Sequence, residues 1–164
     1  ISFILNITEN HTERYDRFLD YKKAKSQITK NQIASDFLIT NENIDSQAKR
    51  IKIKDLEGFD YTKSKLIGGH NKKNFFCAYK VCEILKFDNL NSVFQAFINT
   101  FTGVEYRLQF IGENPQLKFY NDAKSTNDEA TIAAINAFKD KDDLHLILGG
   151  KMRSEIIHLH EKLE

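Results

Sequence analysis

Residues 119–138 read FYNDAKSTNDEATIAAINAF. The stretch begins as the end of a strand, LKFYN, and closes as a helix over about 127–138. Thr126 and Glu129 have the S/T-x-x-E spacing of a capping box, in which each residue satisfies the other's backbone N–H group. The loop NDAKS therefore lies at a strand's carboxyl end and faces a helix N-terminus. Free N–H groups and the positive end of the helix dipole favour an anion there. A cap alone would account for Ser125, Thr126 and Asn127, but not for Lys124, whose full positive charge suits a carboxylate or a phosphate.

Outside this stretch, strands again alternate with helices, with no internal repeat. SFILNI (2–7) and DFLIT (36–40) are apolar runs of strand length, and RIKIK (50–54) alternates like a more exposed strand. Helices are expected over 13–28, 71–86, 89–100 and 127–138, with a last one from Ser154. Further strands are expected near 106–111, 117–120 and at LHLIL, 144–148. Strands alternating with helices imply an α/β fold with mostly parallel sheets. A boundary is expected near Thr102-Gly103, dividing the chain into 1–104 and 105–164. The second part, of about sixty residues, is too short for a complete doubly wound domain, so both ends are expected to be cut.

Of the 164 residues, 41% are hydrophobic, enough for a core, and 24 Lys+Arg against 23 Asp+Glu leave a net charge of +1. That balance argues against attachment to nucleic acid or to a membrane through bulk charge. No apolar run approaches the roughly 18 residues of a membrane span, and the opening ISFILNI reads as a strand already under way rather than a signal peptide. Cys77 and Cys82 lie about 140° apart around one helix and are not expected to pair, which suits a reducing cytoplasm.

Three other places carry candidate chemistry. His11 ends NITENH, just past a strand's carboxyl end, where open α/β sheets bind ligands. It reads either as a metal ligand, with Glu9 adding an oxygen, or as part of a solvated loop. Lys25 falls with Phe18, Tyr21 and Ile28 at spacings of three and four, one otherwise apolar helix face. A desolvated lysine has a nucleophilic amine that can take up carbon dioxide as a carbamate; a snorkelling lysine at the core edge is the alternative. In GGHNKKN (68–74), His70 or Asn71 can cap the next helix, and Asn71 and Asn74 share a face whose amides could read a planar base edge. No GxxxxGK[ST] or GxGxxG occurs, so the chain has no phosphate-cradling loop of its own.

LNITENHTERY, YKKAKSQI, GGHNKKN, FTGVEYR, NDAKSTNDEAT and LHLILGG, in this order, resemble the bacterial Mur ligases over nearly the whole chain. NDxKxTN resembles the D-glutamate-adding branch in particular, whereas HNxxN is shared across the family and with folylpolyglutamate synthases. The resemblance implies part of a P-loop-type central ATPase domain (1–104) followed by part of a Rossmann-like C-terminal domain (105–164). It also implies ATP-dependent amide ligation through an acyl phosphate, joining D-glutamate to UDP-N-acetylmuramoyl-L-alanine, with ATP and magnesium, in a cytoplasmic monomer. Carried over by residue, His11 and Lys25, the latter as a carbamate, resemble the magnesium ligands. Asn71 and Asn74 match the pair beside adenine, Arg107 the arginine reaching ATP, and Asp122 the acid near its ribose. Lys124 and Thr126 match the grip on the D-glutamate carboxylates, and His11, Lys25 and Lys124 form the implied catalytic set.

The sequence departs from the family in three places. Asn10 stands where an acidic residue is usual. Arg153 stands where a lysine contacting D-glutamate is usual, with Lys151 two residues before it. The segment between DFLIT and GGHN is short. Neither the UDP-binding domain nor the P-loop of the family is present in these residues. The alternatives are a related ligase with another acceptor and a non-catalytic scaffold derived from a ligase.

Overall fold

The computed structural model describes residues 1–8, 14–15, 17–138 and 143–150. His11, Lys151, Arg153 and the helix expected from Ser154 lie outside them. The described chain forms two compact units. One comprises Ile1–Phe59 with Lys72–Phe94, the other Asp60–Asn71 with the chain from Gln95.

The first unit is built on a parallel sheet of β1 (Ser2–Ile4), β2 (Phe37–Thr40) and β3 (Lys49–Ile51), with β2 in the centre. Leu38 pairs with Ser2 on one side and with Arg50 on the other. A central strand must be apolar on both faces, and Leu38 and Ile39 are fully buried, with Thr40 beside them. Thr40 is tolerated there because its Oγ1 donates to the Ile4 carbonyl at 2.9 Å and accepts the Glu42 N–H at 3.0 Å. Helix α1 (Phe18–Ser26) crosses from β1 to β2 and ends in a 3-10 turn, Gln27–Thr29.

Most of helix α2 (His70–Ile84) belongs to this unit and supplies Phe75, Phe76 and Cys77 to its core. The rings of Phe59, Phe75 and Tyr79 meet Phe94 edge-on, with centroids 5.3 to 6.1 Å apart. Burial pushes the Cys77 thiol up to about 11, while Cys82 is only half-buried, and both are free. The thiolate is the nucleophile. Iodoacetamide is therefore expected to label Cys82 of the native protein first and Cys77 only on unfolding; mass spectrometry of labelled peptides checks the order.

The second unit holds the C-terminal half of α3 (Leu90–Thr100), a hairpin of β4 (Gln109–Glu113) and β5 (Lys118–Asn121), and α4 (Asp128–Ala137). Ile98 on α3 is fully buried, and the rings of Phe97 and Phe101 stack at 4.8 Å. The Gln95 side chain holds the backbone of Asp60 at both ends, accepting its N–H at 2.9 Å and donating to its carbonyl at 2.7 Å. β4 and β5 pair antiparallel, with a bulge between Phe110 and Gly112. The few residues between them permit only a hairpin, since a parallel return needs a crossover of about a dozen. Asn114 caps that turn, its Oδ1 accepting the N–H groups of Gln116 and Leu117.

The expected α/β class with a parallel sheet is what the chain adopts, and several local expectations are corrected. The first helix starts at Phe18 rather than near residue 13. Residues 105–108 form a turn instead of the start of β4. LHLIL, expected as a strand, has no regular structure at 144–148, and Ile147 is 96% exposed. A strand needs partners for its N–H and C=O groups, and none pairs with this run among the described residues. No described helix is long and apolar enough to cross a membrane.

Candidate functional site

The β5–α4 loop keeps the geometry that its sequence suggests, with one change of residue. The helix cap is Asn127, whose Oδ1 accepts the Ala130 N–H at 2.9 Å; Thr126 is not the cap. STND offers four capping residues in a row, and Asn is as good a cap as any of them. Thr126 is left exposed before the helix, beside exposed Lys124. Asp128 and Glu129 occupy the first turn of α4 and already complement its dipole. Affinity for a further anion in this loop therefore depends on Lys124 more than on the helix.

Three predicted site residues come together here. Asp122 Oδ1 accepts the Leu108 N–H at 2.9 Å, and the Lys124 N–H donates to the Tyr106 carbonyl at 3.0 Å. These two bonds clasp Arg107, which is exposed, between Tyr106 and Leu108. The clasp holds an unusual backbone, with φ of 63° at Tyr106 and 42° at Leu108, both in the left-handed region. One oxygen of Asp122 is thus committed to the loop, beside whatever its carboxylate offers a ligand.

Asn71 and Asn74 lie in the first turns of α2, which starts at His70, so neither His70 nor Asn71 stands outside the helix as its cap. The Asn71 amide donates to the Ile67 carbonyl at 2.7 Å and so shapes the glycine loop before it. Gly68 has φ of 95°, and a Cβ on it would come within 2.7 Å of the His70 ring and 3.0 Å of Ala137. Only glycine meets both demands. Although His70 is exposed overall, its cover pushes the imidazole pKa below the ordinary 6.5, while the Asp122 carboxylate pulls it back up. The unfolded chain then binds this proton more tightly than the folded one. The His70 contribution is complete above about pH 6.5 and declines as the pH falls through the lowered value. His70→Gln should accordingly flatten the fall in melting temperature between pH 7 and 5; a fall as steep as the parent's would exclude the effect.

Lys25 does not sit in a buried stripe. Phe18 is 40% and Ile28 52% exposed, Lys25 itself is exposed, and only Tyr21 of the four is buried. The α-helical spacing stops at Ser26, and Ile28 lies in the 3-10 turn, where three residues make a turn. The Lys25 ammonium instead lies 5.2 Å from the centre of the Tyr21 ring. Exposed in this way, the Lys25 amine is not desolvated. Among the described residues no group of three His, Cys, Asp or Glu side chains comes together as a metal site.

Glu42 belongs to none of the motifs in the sequence. It lies two residues beyond β2, and its carboxylate accepts the Ile7 N–H at 3.0 Å and approaches Lys22 Nζ at 4.0 Å. It thus joins the strand ends to α1 at the edge where ligands bind in such sheets. That position after DFLIT was the available signal. A cavity of about 340 Å³ lined by Ile1, Ser2, Phe3, Ile28, Gln32 and Asp36 contains none of the predicted site residues.

No protein-family profile matches the chain. Individual relatives do. The UDP-N-acetylmuramoylalanine–D-glutamate ligase of Caldanaerobacter subterraneus subsp. tengcongensis is 32% identical over 179 residues, covering 92% of this chain and 38% of that protein. The ligase of the same name from Geobacillus sp. strain WCH70 is 32% identical over 177 residues, covering 92% and 39%. That of Staphylococcus aureus strain JH9 is 32% identical over 163 residues, covering 84% and 36%. The chain spans less than two fifths of the length of these relatives. By this similarity and the order of its motifs, the chain is a Mur ligase region that resembles the UDP-N-acetylmuramoylalanine–D-glutamate ligases.

Proposed function

We propose that the protein carrying this chain is an ATP-dependent ligase that joins D-glutamate to UDP-N-acetylmuramoyl-L-alanine in peptidoglycan precursor synthesis. The observation that most supports it is the clasp of the Arg107 turn onto the loop of Asp122 and Lys124, because it gathers residues assigned to both substrates. Residues 1–104 then belong to the central ATP-binding domain and 105–164 to the start of the amino-acid-binding domain. In this reading Asn71 and Asn74 flank the adenine, Arg107 reaches the phosphates and Asp122 lies by the ribose. Lys124 and Thr126, with Arg153, hold the D-glutamate carboxylates so that its amine faces the acyl phosphate. A reaction of this kind needs positioning and charge neutralisation more than covalent help from the protein. Magnesium would neutralise phosphate charge, with His11 and a carbamate on Lys25 as its proposed ligands. The enzyme is proposed to act as a cytoplasmic monomer, without nucleic acid or membrane.

An acceptor screen on the full-length protein, with ATP and UDP-N-acetylmuramoyl-L-alanine supplied, tests the reading. D-glutamate should give ligated product and phosphate. Preference for L-glutamate or a diamino acid would favour the related-ligase alternative, and no turnover with any acceptor would favour the scaffold.

A further inference from the structure

Tyr106 is tied to Lys124 twice. Its carbonyl accepts the Lys124 N–H at 3.0 Å, and its ring centre lies 5.9 Å from Lys124 Nζ. Its own N–H donates to Gln109 Oε1 at 3.0 Å, which anchors the turn to the first residue of β4. Tyr106 also holds φ of 63°, a conformation that costs a β-carbon-bearing residue energy and persists only where surrounding bonds over-determine it. A glycine would adopt this backbone freely, so the turn by itself does not call for a tyrosine. The aromatic face is what a glycine would lack. That face attracts an ammonium through the ring quadrupole. It restricts the flexible Lys124 side chain, which is otherwise exposed and has four rotatable bonds to order before it can hold a carboxylate.

We propose that Tyr106 is a positioning residue, whose ring pre-orders the Lys124 ammonium for the carboxylate of the incoming amino acid. The inference rests on the ligase reading above. It adds a residue whose part is to lower the ordering cost of Lys124 and not to touch substrate. Because the turn that bears Tyr106 also bears Arg107, the same backbone sets both side chains. The ring serves only the lysine.

Three variants of the full-length protein separate the ring from the backbone. Tyr106→Phe keeps the ring and should leave the KM for D-glutamate within about twofold. Tyr106→Ala and Tyr106→Gly remove it and should both raise that KM about three- to fivefold, with the KM for ATP nearly unchanged. If the turn needs only its backbone, Tyr106→Gly will match the parent, and the proposal fails. Equal changes in both KM values would also overturn it. A second reading does not depend on turnover. In NMR spectra, the Lys124 side-chain methylene signals should carry an upfield ring-current displacement that survives in Tyr106→Phe and is lost in Tyr106→Ala. Its absence from the parent protein would mean that the ring does not hold the lysine. A parent enzyme that ignores D-glutamate but shows the displacement would instead refute the ligase reading.

Discussion

Lys124→Ala should raise the KM for D-glutamate about 30- to 100-fold while leaving the KM for ATP within about threefold. A hydrogen bond between charged partners contributes about 1.5–3 kcal/mol, and 1.4 kcal/mol is a factor of ten. In the free protein the exposed Lys124 side chain lies against the Tyr106 ring, an interaction of about 0.5–1 kcal/mol. Losing that contact alone would change binding only a few-fold. The larger effect requires a substrate carboxylate. The α4 dipole cannot replace the lysine, because Asp128 and Glu129 already oppose an anion in its first turn. Steady-state kinetics with each substrate varied in turn would check this. A parallel rise in both KM values would move Lys124 out of the amino-acid site.

The largest expected loss of stability follows Leu38→Ala. Leu38 is fully buried in β2, with β1 and β3 hydrogen-bonded on either side. Removing a buried leucine side chain costs about 2–5 kcal/mol, because the transfer energy is lost and the cavity closes only in part. Against a total stability of roughly 5–15 kcal/mol, that is a large share. Leu19→Ala is the control: this residue lies on α1 at 53% exposure, and its loss should cost about 0.5 kcal/mol or less. Urea unfolding of both variants measures the difference. Equal midpoints would contradict the packing described for the sheet.

Much of the fold could be read from the residues because the pattern was strong and local. DFLIT is apolar on both faces, as a central parallel strand must be, and α2, α3 and α4 fall within a residue or two of their expected ends. What was misread depended on partners or on a change of helical geometry. LHLIL has the composition of a strand, but a strand exists only when paired. The Phe18–Ile28 stripe assumes one continuous α-helix, and the 3-10 turn at Gln27–Thr29 breaks its phase. The hairpin was recoverable from loop length alone. In the site, Lys124, Asp122 and Arg107 were each visible as motifs. The clasp joining them was not, because it runs through backbone groups of Tyr106 and Leu108 whose left-handed conformations no residue type announces. Glu42 was missed for a simpler reason: it belongs to no spaced motif, and only the sheet brings it to Ile7.

The central claim is that the NDAKST loop holds the carboxylates of the incoming amino acid. Its most direct measurement is a titration of the full-length protein with D-glutamate, with ATP replaced by a non-hydrolysable analogue, while the Lys124 side-chain and Thr126 amide resonances are followed by NMR. Both should shift saturably with a single dissociation constant, and the shifts should vanish in Lys124→Ala. Signals that stay in place at concentrations supporting turnover would contradict the account.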